Sequence, residues 1–401
     1  MKKIKIVTYE NFPFGGASAN FLRYLAFALT QEKHEVEVIK PNGYIYGGNK
    51  NPKNQRVGEI NNVKFRYIGL TKNHPRCVIG RIVSSIWAFC FTPLFLMLSY
   101  FHSKYQMLIC YNTRLYAVLP LLVLKCFFKL KFLLIIPEYY RKPNSGIIKK
   151  ILWYNFYIGL NYFAKYADGY VVLTSYMYEY LSDNLKIKKP IYILPNIMDP
   201  KHFEMPSVEP YKANKITIGY VGTPTTKDGI NDLLKSFSLL NKKYPETHLL
   251  IIGDTPGHCS VIPDLMNEVK ELDISESTSF TGLVSFNEVA ILMNSCQVLA
   301  LTRPNGVFAQ AGFPTKLGEY FACKKPVLLT DVGDIPKYFE NYKHAVIAKA
   351  ENVDDIAAGF EKIISDKELS LNLAKNSYKW MDDNLNYRSV AIKLSQFIAE
   401  V

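Results

Sequence analysis

At 401 residues the chain is long for one hydrophobic core, and about half of it is apolar with no low-complexity tract, which excludes a disordered protein and favours two domains of ordinary size. A formal charge of +13 calls for anionic company, and the absence of zinc spacing, an RNP-like segment or a helix-turn-helix pattern excludes nucleic acid as the expected partner, leaving nucleotide phosphates or acidic lipid. Seven scattered cysteines without a C-x-x-C pair argue against a disulfide framework or structural zinc and fit a reducing cytoplasm.

MKKIKIVTYE reaches Glu10 before any apolar stretch of signal length, so it is read as a first strand, Ile4 to Thr8, and not as an export signal. A glycine-bearing loop, Asn11 to Gly16, leads into a helix over Ser18 to Thr30 with Leu22, Leu25 and Leu29 on one face, and Val36, Val38 and Ile39 alternate as a second strand. This β-α-β opening is of the doubly wound kind. The loop is not the G-x-G-x-x-G fingerprint, and Lys40-Pro41 stands where a nicotinamide enzyme wants an acid for the ribose, so a dehydrogenase is disfavoured. Residues 43–62 read as a long loop before the Val63 to Ile68 strand.

Ile82 to Phe101 is free of charge and interrupted by Pro93; it is expected to be a buried or membrane-facing helix, with a true span as the alternative. A second apolar block, Leu115 to Phe128, feeds the strand Phe132 to Ile136, whose end carries Glu138. A carboxylate at a strand end suits an acceptor-side acid or base, or equally a structural partner for Arg141. Between Lys125 and Trp153, seven lysines and arginines alternate with aromatic residues. That composition fits a patch for an anionic membrane surface, or a solvated face whose aromatics are core. Strand Tyr170 to Leu173, helix Tyr176 to Leu181 and strand Ile191 to Leu194 complete a first domain over residues 1–200.

A second domain, 201–385, restarts with strand Ile216 to Val221, a polar loop from Gly222 to Gly229 and helix Ile230 to Leu240; no P-loop is present. Strands His248 to Ile252 and Ser279 to Thr281 follow. Thr302 to Thr330 reads as strand end, glycine-containing loop, helix over Thr315 to Ala322, and strand. Pro314 suits the first helical position, and the free amides there, with Lys316 in the first turn, make an anion site. One turn on, the Glu319 carboxylate can accept from a pair of neighbouring hydroxyls. Phosphate followed by diol is what a nucleotide offers. An exposed Lys–Glu pair behind an ordinary loop is the plainer alternative.

AGFPTKLGEYFACKKPV resembles the signature of the large retaining glycosyltransferase family called group 1 or family 4, with Glu319 on its second acidic position, Ala311 in place of the first, and Lys324 in place of a glycine. PNIMDPKHF resembles the family's interdomain linker. The resemblance implies the GT-B architecture, two doubly wound Rossmann-like α/β domains facing across a cleft, with the C-terminal helix 386–401 packing back on the first. It assigns Gly15 and Gly16 to a loop near donor phosphate or acceptor, and Thr223 to the place of a diphosphate-binding arginine. Lys227 becomes a shifted match to a diphosphate lysine, and Gly282-Leu283 the turn that contacts the base. Gly222, Gly312, Phe313, Pro314, Thr315, Leu317 and Glu319 complete the donor site.

The reaction so implied is sugar transfer from a nucleotide sugar to a glycan or lipid-linked acceptor with anomeric retention, in bacterial-type surface polysaccharide synthesis. It would be carried by a cytoplasmic enzyme peripheral on the inner face of the plasma membrane. Lys227, Lys316 and Arg303 would meet the charge of the departing diphosphate, with Glu138 on the acceptor side. Neither cofactor nor metal is expected, since no D-x-D pair is present. A nucleotide-sugar epimerase, a two-lobed sugar-binding protein and an integral membrane protein are the alternatives.

Overall fold

The computed structural model describes residues 1–44, 55–205, 208–255 and 260–401. The chain divides into two compact units, Met1–Ile197 with Tyr387–Val401, and Met198–Asn386.

In the first unit the elements are β1 (Lys3–Val7), α1 (Ala17–Gln31), β2 (Glu35–Lys40), β3 (Val57–Ile60), β4 (Val63–Tyr67), α2 (Val78–Ser103), β5 (Met107–Tyr111), α3 (Leu115–Phe128), β6 (Lys131–Ile136), α4 (Ile147–Ile158), β7 (Gly169–Val172), α5 (Ser175–Glu179) and β8 (Ile191–Ile193). They form one sheet in the order β3-β4-β2-β1-β5-β6-β7-β8. Every pairing is parallel except β3 with β4. The central strands read MLICY, KFLLII and GYVV because a parallel sheet is covered on both faces, and all but Lys131 are buried. α1 lays Leu22, Leu25 and Leu29 on this sheet.

Two expectations change here. Of the 43–62 loop, residues 45–54 lie outside the described residues, and Val57–Ile60 is a strand. Asn61 and Asn62, at φ 45° and 62°, make a two-residue hairpin into β4 with Ile60 opposite Val63. Asn is the non-glycine residue that best tolerates such a turn, so the Asn-Asn pair was the signal. Pro93 does not interrupt α2, which runs unbroken for 26 residues. The carbonyl four residues back belongs to Phe89, whose side chain is 39% exposed, so water can replace the lost hydrogen bond. Only 22% of the most apolar window of α2 is buried, which removes the buried reading and leaves an apolar helix open on one side.

The second unit holds β9 (Ile216–Val221), α6 (Ile230–Lys243), β10 (Thr247–Ile252), α7 (Ile262–Glu271), β11 (Thr278–Phe280), α8 (Phe286–Asn294), β12 (Val298–Leu301), α9 (Val307–Ala311), α10 (Lys316–Ala322), β13 (Val327–Thr330), α11 (Ile335–Tyr338), β14 (Val346–Ala348), α12 (Val353–Ser365) and α13 (Lys367–Asn384). Its sheet is wholly parallel, β11-β10-β9-β12-β13-β14. The glycine loop is not irregular throughout, since Val307–Ala311 forms the short helix α9. Met198 and Leu385 run side by side where the chain enters and leaves the unit, the Met198 amide donating to the Leu385 carbonyl at 2.8 Å. The last helix, α14 (Tyr387–Glu400), belongs to the first unit, where Tyr387 stacks on Tyr24 at 5.8 Å and Phe397 on Tyr192 at 5.3 Å.

Gly229, between β9 and α6, sits at φ +71°, and a Cβ there would lie 1.7 Å from the Thr302 carbonyl oxygen. Gly229→Ala therefore meets backbone on both counts. We expect it to cost about 1–3 kcal/mol or more in denaturant unfolding; an unchanged midpoint would contradict the packing described.

Candidate functional site

In a parallel α/β sheet the loops after the strands gather at the carboxyl edge, and ligands bind there. In the second unit that edge collects the end of β9, the turn after it, and the loop between β12 and α10. Tyr220, near the end of β9, places its hydroxyl 2.8 Å from both Asp228 Oδ2 and the Thr223 carbonyl oxygen. Lys316, the first residue of α10, donates from Nζ to Asp228 Oδ2 at 2.5 Å and to the Tyr220 oxygen at 3.1 Å, with the ammonium 4.5 Å from the Tyr220 ring centre. Arg303 Nε lies 3.8 Å from Asp228 Oδ1, while its Nη1 donates to the Gly312 carbonyl at 2.9 Å.

Burial raises the Asp228 carboxyl, but Lys316, Tyr220 and Arg303 outweigh it and hold it below the ordinary carboxylate value. Burial lowers the Lys316 ammonium, with Asp228 opposing. Asp228 is the residue that motif reading left out. It follows an exposed lysine and precedes a glycine, so in sequence it looks like a turn residue.

Of the expected cations, Lys316 and Arg303 come together, and Arg303 also ties down the loop through Gly312. Lys227 does not join them. It is exposed on the single helical turn Thr226–Asp228, and its neighbour Asp228 turns inward instead. Gly222 is required, because at φ +126° its absent Cβ leaves room for the Lys316 ammonium, which would stand 2.4 Å from it. Thr223 follows it, its carbonyl on Tyr220. Gly282 (φ +66°) has open space where a Cβ would be, and Leu283 is 60% exposed. In the loop before α10, Phe313 is buried, Pro314 and Thr315 are half-buried, and Thr315 already has helical dihedrals although α10 proper begins at Lys316. Leu317 packs inward.

Glu319 stands one turn into α10, half-buried, and no hydrogen bond to its carboxylate is seen from any described residue. Burial pushes its carboxyl up to about 7, with Lys316 pulling the other way. A carboxylate held in a low-dielectric place with both oxygens unengaged is fitted to accept from a ligand's hydroxyls.

In the first unit, Gly15 has no space for a Cβ, which would lie 2.7 Å from that of Ala19, so its role is close packing on α1. Gly16 is the N-cap residue of α1 with open space around it. Glu138 is exposed after β6 and accepts a hydrogen bond from the Tyr140 hydroxyl. Its structural partner is thus Tyr140 and not Arg141.

Against this geometry the comparisons are specific. Residues 202–380 match the family of glycosyl transferases group 1. The matched span is nearly the whole second unit. An uncharacterized glycosyltransferase of Haemophilus influenzae is 26% identical over 219 residues, 54% of this chain and 57% of that protein. The N,N'-diacetylbacillosaminyl-diphospho-undecaprenol alpha-1,3-N-acetylgalactosaminyltransferase of Campylobacter jejuni is 26% identical over 149 residues, 37% of this chain and 35% of that protein. The chain thus spans between about a third and three-fifths of the curated relatives' length. Solved structures match over the full chain. Sucrose-phosphate synthase from Thermosynechococcus elongatus superposes with a TM-score of 0.74 at 14% identity, covering 100% of this chain and 99% of that one. Anabaena HepE in complex with UDP superposes with a TM-score of 0.69 at 13% identity, each chain covered 100%. The fold is GT-B, with two parallel-sheet Rossmann-like domains.

Two measurements test the electrostatics. Removing the carboxylate in Asp228→Asn strips a buried ammonium of its charged acceptor and should cost roughly 1.5–3 kcal/mol. Adding Lys316→Met should then cost less than the sum of the two single changes by denaturant unfolding. Glu319, with its folded pKa raised, contributes fully to stability below its ordinary value and loses that contribution as the pH rises through about 7. Glu319→Gln should therefore be neutral near pH 4.5 and stabilising above pH 7, by up to about 3 kcal/mol. A wild-type-to-variant difference in Tm that stays flat across pH 5–9 would contradict the burial of that charge.

Proposed function

We propose that the protein transfers a sugar from a nucleotide sugar, bound on the second unit, to a hydroxyl of a glycan or lipid-linked acceptor, with retention of anomeric configuration. The observation that carries this reading is the unengaged Glu319 carboxylate one turn from the Lys316–Asp228–Tyr220 cluster, at the carboxyl edge of a unit that matches the glycosyl transferases. Glu319 accepts from the ribose hydroxyls. Lys316, its ammonium fixed in advance by Asp228 and Tyr220, faces the diphosphate, and Arg303 holds the loop while adding its charge behind. Lys227, exposed beside them, is free to swing toward the phosphates. Gly282 and Leu283 leave an open turn for the base.

The difficulty in this reaction is the charge that gathers on the departing diphosphate, and a fixed ammonium stabilises it without reorganising during the step. No divalent metal or cofactor is needed for that. The acceptor, we infer, is met by the first unit, where Glu138 stands beyond the end of β6, and lies on the anionic inner face of a membrane. The cations between Lys125 and Lys150 suit that surface. The Campylobacter relative, named for a diphospho-undecaprenol substrate, makes a lipid-linked acceptor and surface polysaccharide synthesis the reading of choice. A cytoplasmic setting agrees with the six described cysteines, all of them free thiols.

Calorimetry with nucleoside diphosphates, followed by a panel of nucleotide sugars with and without acceptor lipid, tests the reading. Glu319→Ala should fold and bind the nucleotide roughly ten- to a hundredfold more weakly. Unchanged affinity sinks the ribose assignment, and interconversion of the sugar nucleotide without any acceptor would make the protein an epimerase instead.

Turnover should persist in excess EDTA, and Lys316→Ala should lower kcat more than it raises KM, because the charge acts chiefly in the transition state. Loss of activity in chelator with recovery on magnesium would place the phosphate charge on a metal and overturn that part.

A further inference from the structure

The first unit has a cavity of about 280 Å³ to which the reading above assigns no ligand group. Arg114, Arg141 and Lys149 line it, with Tyr140, Trp153 and Phe156 as its walls. The three cations come from three segments. Arg114 precedes α3, Arg141 lies between β6 and α4, and Lys149 is in the first turn of α4. The walls are fixed, the Trp153 indole donating to the Tyr140 carbonyl at 2.8 Å and the Tyr140 and Phe156 rings meeting edge to face at 4.9 Å. Arg114 donates to the Tyr116 hydroxyl at 2.9 Å. The neighbouring carboxylate, Glu138, is taken up by the Tyr140 hydroxyl, and neither Arg141 nor Lys149 forms an ion pair with a described residue. Three cations gathered around one hollow repel each other until an anion enters, and guanidinium groups match phosphate oxygens in pairs. The volume, about nine waters' worth, is ample for two phosphate groups.

A second observation is independent of charge. On the same helix Ile147 is 77% exposed, Ile148 71% and Ile151 62%, and at the start of α2 Val78 is 69% exposed and Ile79 76%. Single exposed apolar residues are ordinary, but runs of them at the starts of two helices that flank α3 are not. α2 follows β4 and α4 follows β6, both parallel strands, so both helices start at the carboxyl edge of the sheet, with α3 packed between them. The apolar residues and the cationic hollow therefore share one end of the unit. Cations beside exposed aliphatic side chains match an anionic leaflet, headgroup level above and acyl chains below.

We propose that this cavity seats the phosphate or diphosphate head of a membrane-embedded acceptor lipid while the exposed aliphatic residues that begin α4 and α2 enter the leaflet. The word acceptor rests on the transferase reading; the binding site does not.

Vesicle flotation tests it, using neutral phosphatidylcholine vesicles, the same vesicles with a few per cent of a polyprenyl diphosphate, and vesicles carrying equal charge as phosphatidylglycerol. The diphosphate lipid should recruit the protein at least tenfold better than the charge-matched phosphatidylglycerol. The double variant Arg141→Ala, Lys149→Ala should erase that advantage while nucleotide affinity by calorimetry stays unchanged, so that failure here is distinct from failure of the donor site. Ile147→Asp with Ile151→Asp should weaken binding to both anionic vesicles. Equal recruitment by the two anionic lipids would reduce the cavity to part of a general basic surface and overturn the proposal. So would inorganic diphosphate binding in solution as tightly as the lipid, which would make the ligand a free anion.

Discussion

A lysine drawn into a protein interior keeps its charge only if a counterion is placed beside it, and the second unit is arranged around one such pair. Lys316 and Asp228 are 88 residues apart, brought together because α10 and the turn after β9 both open at the carboxyl edge of one parallel sheet. Three local features exist to make that meeting possible. Gly222 leaves the volume that the ammonium occupies, Gly229 lets the turn pass the Thr302 carbonyl, and Tyr220 offers an oxygen on which the ammonium also bonds. Tyr320, one helical turn from Lys316, accepts from the Val221 amide at 2.9 Å, which keeps α10 in register with the end of β9. The carboxylate of Glu319 is positioned by the same helix, so the ion pair sets where both the Lys316 ammonium and that carboxylate stand.

The first unit repeats the strand-and-helix grammar but spends its helices differently. α1 buries Phe21, Leu22, Leu25, Phe27 and Leu29 between sheet and α14, whereas α2, longer and more apolar, buries only Ser84, Ala88, Thr92 and Leu96. Apart from Leu96, small residues face the neighbouring elements, and most of the large apolar ones face away. This inverts the usual amphipathic helix of a globular domain. It is this face that the proposed contact with an anionic leaflet would cover.

Much of this was legible in the sequence. The apolar runs at Ile4, Phe132, Tyr170, Ile216 and His248 each became strands, because a parallel sheet covered on both faces leaves no alternation to confuse with a helix. Glu319 and Lys316 were singled out by the resemblance of AGFPTKLGEYFACKKPV to a family signature, since their spacing alone fits an exposed ion pair. Asp228 was not, because its partners are remote in the chain and nothing in Thr-Lys-Asp-Gly distinguishes an inward carboxylate from an outward one. The same limit hides that Lys227 stands exposed while its neighbour takes the inward place. Helix α9 was hidden by its brevity, five residues between glycines. For α2, hydropathy fixed the element but not its environment, since a core helix and a lipid-facing one have the same composition and differ only in which side the small residues occupy.

Two of the buried lysines are held in opposite ways. Lys40, at the end of β2, donates to the Tyr9 carbonyl at 2.7 Å and to Asn42 Oδ1 at 2.8 Å, both neutral acceptors, and burial lowers its ammonium to about 7 despite the more distant Glu10. Lys316 has a carboxylate in contact, which opposes the effect of burial. An amine that gives up its proton near neutrality serves as a neutral pin between backbone segments and adds little lasting field to its surroundings. A lysine paired with a carboxylate occurs in the first unit too, Lys5 with Glu37, but that pair lies side by side on β1 and β2 within the sheet, whereas Lys316 and Asp228 meet where α10 and the turn after β9 open at the carboxyl edge.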